Sequence, residues 1–144
     1  MPDLMAGDAP FVPRRGRVVP AVLAVASVVV FTVVAFVVPE RFQLADRVAF
    51  VGLGVAVALV LSRYVTIRAA AHEDGLFVRN LGPAQTIPWQ QIEGVRFAEG
   101  MPWVRLDLED GDDVAVMAIQ RADGPGSVAE AQRLSDLVAR HRRR

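Results

Sequence analysis

The chain is 144 residues long, room for one ordinary domain or for a membrane segment with one small domain. Its 16 basic residues, all arginine, balance 16 acidic ones, and this neutral balance argues against nucleic acid, which requires a clustered basic footprint. It has no cysteine, which excludes disulfides and thiolate metal sites.

Residues 1–17 carry three of the nine prolines and no periodicity, which predicts a disordered leader. From Val18 to Val38 the chain is apolar for 21 residues without a charge. A helix of that length spans about 30 Å, the thickness of a bilayer's hydrocarbon core. Arg14, Arg15 and Arg17 would suit a signal peptide, but the run exceeds the usual apolar region of about 7–15 residues. A retained anchor is therefore expected. After the loop 39–47 comes a second apolar run, Val48 to Leu61. Extended to about 45–62 it makes a second span, with Asp46 as a helix cap and Arg47 and Arg63 reaching for the headgroups. Gly54 and Ala58 stand at the small-xxx-small spacing that lets helices approach closely. The two runs predict a transmembrane hairpin over 18–62. Arg14, Arg15, Arg17, Arg63 and Arg68 flank one side of it and Arg41 and Arg47 the other, which puts both termini in the cytoplasm.

From residue 63 the periodicity changes. Val65, Ile67 and Ala69 alternate with polar residues, and Glu73-Asp74-Gly75 signals a hairpin. Leu76 to Asn80, Thr86 to Trp89, Ile92 to Phe97, Val104 to Leu108 and Val114 to Ala118 continue the pattern, with an Asp110-Gly111 turn before the last. This predicts an antiparallel meander of about six strands. A helix over about 127–141 closes the chain, with Ser127 and Glu130 as a capping box. Val128, Ala131, Leu134, Leu137 and Val138 share its apolar face. The class is thus an α-helical hairpin followed by a mainly β, α+β domain over 63–144.

The stretch Gly75-Leu76-Phe77-Val78-Arg79-Asn80, then Ile87-Pro88-Trp89 and Ile92, then Trp103 to Leu106 and Asp110-Gly111, resembles the bacterial pleckstrin-homology (PH)-like domains. More narrowly, it is similar to small actinobacterial membrane proteins of the low-molecular-weight protein antigen type. The resemblance runs from Val18 to about Arg140. It implies a PH-like curled sheet, closed by the terminal amphipathic helix, on a membrane anchor, with no established biochemical activity.

Chemistry is hard to find in the residues themselves. His72 and His141 have no partner at a catalytic or metal-ligand spacing. The acids Asp107, Glu109, Asp110, Asp112 and Asp113 lack a calcium-loop pattern, and a hairpin turn explains them. No enzyme, cofactor or metal is expected. Phosphoinositide binding would need basic residues around the first hairpin, whose tip His72-Glu73-Asp74-Gly75 is acidic, which argues against that ligand. The residues left as a candidate interaction surface are Trp89, Trp103, Arg68, Arg79, Arg140, Arg142, Arg143 and Arg144. The tryptophans also suit a core, and the terminal arginines suit either anionic lipid or the helix dipole. The expected function is a non-catalytic interaction module at the cytoplasmic face of the plasma membrane, binding a membrane protein or its own copies. The alternative is a sensor of anionic lipid or cell-envelope components.

Overall fold

A computed structural model describes residues 9–144. It divides into two compact units, one of residues 17–65 and one joining 9–16 to 66–144.

The first unit is a helix pair, α1 (Arg15–Val37) and α2 (Leu44–Val65). Residues 27 and 35 of α1 meet residues 54 and 47 of α2, so the helices run antiparallel. The hydroxyl of Ser27 donates to the Gly54 carbonyl at 2.9 Å. A Cβ at Gly54 would lie 2.8 Å from the Cβ of Phe31, so this glycine sets the close approach. Both helices are long and apolar enough to cross a membrane. Their apolar side chains mostly point away from the pair: Phe36 is 78% exposed and Leu59 65%. The Asp46 carboxylate accepts the N–H of Gln43, just before α2, at 2.8 Å and so caps it. Arg47, expected to reach outward, instead turns back. Its guanidinium donates to the carbonyls of Ala35 at 2.7 Å and Val38 at 3.1 Å, closing the unsatisfied end of α1.

The second unit holds six strands in two antiparallel sheets of three. The first contains β1 (Arg68–Ala71), β2 (Gly75–Arg79) and β3 (Gln85–Pro88). The second contains β4 (Ile92–Arg96), β5 (Trp103–Leu108) and β6 (Asp113–Gln120). The expected meander is thus present but split, at a single 3₁₀ turn over Trp89–Gln91. Alternation decides which face is buried. Ala69, Leu76, Val78 and Ile87 point inward from the first sheet, and Val104, Leu106 and Val116 from the second. Each large aliphatic side chain among them contributes about 1.5–3 kcal/mol through burial. The helix α3 (Gly126–Arg142) packs on β4, β6 and the 3₁₀ turn. It buries Ala131, Leu134, Leu137 and Val138.

Three expectations need correcting. Residues 1–8 of the leader lie outside the described residues, but the part from Ala9 onward is ordered. Phe11 exchanges backbone hydrogen bonds with Ala69 at 2.7 and 3.0 Å, extending the first sheet, and its ring is 1% exposed. The Arg133 guanidinium lies 3.8 Å from the ring centroid and donates to the Ala9 carbonyl at 2.8 Å. One aromatic and a sheet edge in need of partners outweigh the prolines around it. Second, no capping box forms. The helix begins at Gly126, after Pro125 has taken helical angles (φ −59°, ψ −29°), so Ser127 is inside it. The Ser127 hydroxyl donates to the Gly124 carbonyl at 2.7 Å, and Glu130 pairs with Arg133. Third, Ser127 takes the buried place in the first turn of α3, while Val128 is 58% exposed.

Candidate interaction surface

The motif residues turn out to hold the fold together. Gly75 pairs with Pro88 across β2 and β3, and a Cβ there would overlap the Ile87 carbonyl oxygen. Close approach requires this glycine, not a left-handed angle. Of the two motif glycines it is Gly111 (φ +87°), in the turn between β5 and β6, that takes a positive φ. Asn80, just past β2, joins the two sheets: its amide donates to the Ala115 carbonyl at 2.8 Å and accepts the Met117 N–H at 3.1 Å. Trp89 is 2% exposed, and its indole N–H donates to the His72 carbonyl at 2.8 Å. Its ring stacks on His141 of α3 with centroids 4.2 Å apart. Trp89 therefore belongs to the core and offers no surface. Trp103, opposite Gln120, is half-buried.

The arginines divide more sharply. Arg142 donates to the Glu93 carbonyl at 2.9 Å and so ties the end of α3 to β4, while Arg140, Arg143 and Arg144 are exposed. Arg68 and Arg79 sit directly opposite each other in the β1–β2 ladder, hence on one face. That face is the outer one and also carries Phe77, over which the Arg68 guanidinium lies at 5.4 Å. His72 meets the edge of the same ring at 6.1 Å, and exposed Thr86 pairs with Phe77 from β3. Among the described residues no carboxylate forms an ion pair with Arg68 or Arg79.

The second sheet carries a matching pair that sequence reasoning missed. Arg96 and Arg105 are also direct cross-strand partners, on β4 and β5. Here Arg96 binds Asp107 at 2.7 Å and lies 3.9 Å from Asp113, and Arg105 binds Asp113 directly. The hydrogen bond from Arg105 holds the Asp113 carboxyl below the usual carboxylate range, and the charges of Arg105 and Arg96 add to it; partial burial opposes the shift. The Arg105 guanidinium moves up for the same reason, led by its bond to Asp113. Strand spacing of two places these acids beside the arginines, and that signal was available in Arg105-Leu106-Asp107.

One groove of about 730 Å³ lies between residues 9–14, the end of β6 and the start of α3. Three of its four charged side chains are engaged: Asp123 accepts the backbone N–H groups of Arg14 and Arg15 at 3.1 and 2.8 Å, and Arg133 holds Glu130. Among the described residues no group of three or more His, Asp or Glu side chains is placed to hold a metal.

Comparison with known proteins agrees with this geometry. The family model described as "Bacterial PH domain" matches residues 66–134. An uncharacterized protein of Mycobacterium tuberculosis, Rv1417, is 38% identical over 101 residues, covering 70% of this chain and 66% of its own. Low molecular weight protein antigen 6 of the same organism is 36% identical over 73 residues, 51% of this chain and 63% of that protein. The chain thus spans about two thirds of the length of the curated relatives it matches. No solved structure matches it. By this family match, residues 66–134, with their two three-stranded sheets and the start of the closing helix, are a bacterial PH domain.

Proposed function

We propose that this chain is a non-catalytic binding module, tethered by the α1–α2 hairpin and carrying its PH domain at the cytoplasmic face of the plasma membrane. The observation that carries it is the helix pair. Two antiparallel apolar helices, joined tightly at Ser27–Gly54, still expose Phe36, Leu59 and many valines, a surface suited to the apolar phase of a bilayer. The match of residues 66–134 to the bacterial PH domain family supports a non-catalytic binding role for the domain. Its partner is another membrane protein or a second copy of the chain. Carbonate extraction should leave the protein in the membrane pellet, and crosslinking in native membranes should yield a defined adduct. A strictly monomeric, partnerless chain would sink this reading. The uncompensated Arg68–Arg79 face favours a second contact, with anionic lipid.

A further inference from the structure

The two sheets pose the same electrostatic problem and answer it differently. Each places two arginines directly opposite one another on its outer face, an arrangement that repels. In the second sheet Asp107 and Asp113 lie on the same face and neutralise the pair. In the first sheet Arg68 and Arg79 have no such acids among the described residues. Phe77 beneath Arg68 adds a half-buried aromatic, giving the face an apolar patch beside its charges. Chain order narrows the occupant. Arg68 follows the last residue of the apolar helix α2 by three positions, with Arg63 and Tyr64 just before, the residue types that sit at a bilayer interface.

We propose that the Arg68–Arg79–Phe77 face of the first sheet is a membrane-docking surface, its two guanidiniums taking the phosphates of anionic lipid headgroups. This rests on the anchored reading above and adds an orientation to it: the domain would lie with this face on the leaflet, leaving its other faces for a protein partner. Arginine forks suit phosphate oxygens, and Phe77 suits the headgroup boundary. The site lies at the opposite end of β1 and β2 from their acidic hairpin tip.

The absence of cysteine makes the test direct. The full chain carrying Thr86→Cys, labelled with a fluorophore, is reconstituted in nanodiscs of phosphatidylcholine alone or with phosphatidylglycerol. Ala115→Cys labels the other sheet as a control. The Thr86 label should lose access to a water-soluble quencher only in the anionic discs, and high salt should restore it. The double variant R68S/R79S should shift the docked-to-free ratio by roughly thirtyfold toward free, the sum of two surface arginines. The Ala115 label should not respond. Equal access in both discs, or shielding that survives the double variant, overturns the proposal; shielding that needs an added acidic protein also overturns it, in favour of a protein partner. In neutral discs R68S/R79S should melt at or above the parent temperature, because a repulsive pair is gone. A lower melting temperature would assign the arginines to the fold and overturn the proposal. Carbonate extraction of native membranes reports separately on the anchor, so its failure is distinguishable from failure of the docking face.

Discussion

At the scale of single residues, the domain depends on a few positions with no substitute. Gly75→Ala puts a methyl group against the Ile87 backbone, where neither strand can move without breaking the β2–β3 ladder. The expected cost is about 2–4 kcal/mol, the range of severe core overpacking and strain, read as a fall in the denaturation midpoint. Gly82→Ala, where a Cβ meets nothing within 4 Å, should be nearly neutral and serves as its control. The Asp113–Arg105–Arg96 cluster predicts a pH effect with a definite sign. The Asp113 carboxyl is held low in the fold, so its contribution is fully present above the ordinary carboxylate range and is lost as pH falls through its lowered value. Asp113→Asn should flatten that acid limb of the stability profile, and an unchanged profile would show the cluster to be idle. The motif residues were legible in the sequence, but their reasons were not. Nothing in Gly75 or Asn80 announces that one makes room for a carbonyl and the other joins two sheets, because both partners are remote along the chain.

At the scale of elements, alternation and turn residues anticipated six strands, since a period of two with one buried face is a strong local signal, but the first was read from Val65, which ends α2, whereas β1 runs Arg68–Ala71. The break between the sheets was not legible, because it turns on Trp89 entering the core between His72 and α3. Removing that ring should be severe. Trp89→Ala loses the stack on His141 and leaves the His72 carbonyl without its donor, an expected loss of about 3–5 kcal/mol by thermal or denaturant unfolding. His141→Ala should cost clearly less, since the indole keeps its hydrogen bond and most of its burial. The proline-rich approach to α1 misled for the converse reason. Composition predicts disorder where no apolar face can be buried, yet Phe11 alone finds both an open β1 edge and Arg133. Phe11→Ala should therefore release residues 9–13, seen as new protease cleavage near Pro10–Pro13 while the strands stay protected.

At the scale of the whole molecule, the helix pair and the domain follow different rules; the switch from continuous to alternating apolar residues was read at residue 63, and the chain divides after Val65. Which side of the membrane the domain occupies depends, on the proposed reading, on arginine placement alone. Five arginines (Arg14, Arg15, Arg17, Arg63 and Arg68) flank the ends of the hairpin, against Arg41 and Arg47 in its loop. Arg47 is engaged with the end of α1, but it keeps its charge and so still counts. Replacing Arg14, Arg15 and Arg17 by Ser leaves Arg63 and Arg68 against Arg41 and Arg47, a balanced distribution with no preferred insertion. The parent chain should place a C-terminal reporter wholly in the cytoplasm, and the triple variant should divide it between the two sides. Adding Gln43→Arg to that variant should invert the majority. Asp46 accepts the backbone N–H of residue 43, which arginine keeps, so this last change alters the charge balance while sparing the helix cap. A reporter that stays cytoplasmic in the parent and both variants would show that something other than arginine balance sets the orientation, with the folding of the PH domain itself the first suspect.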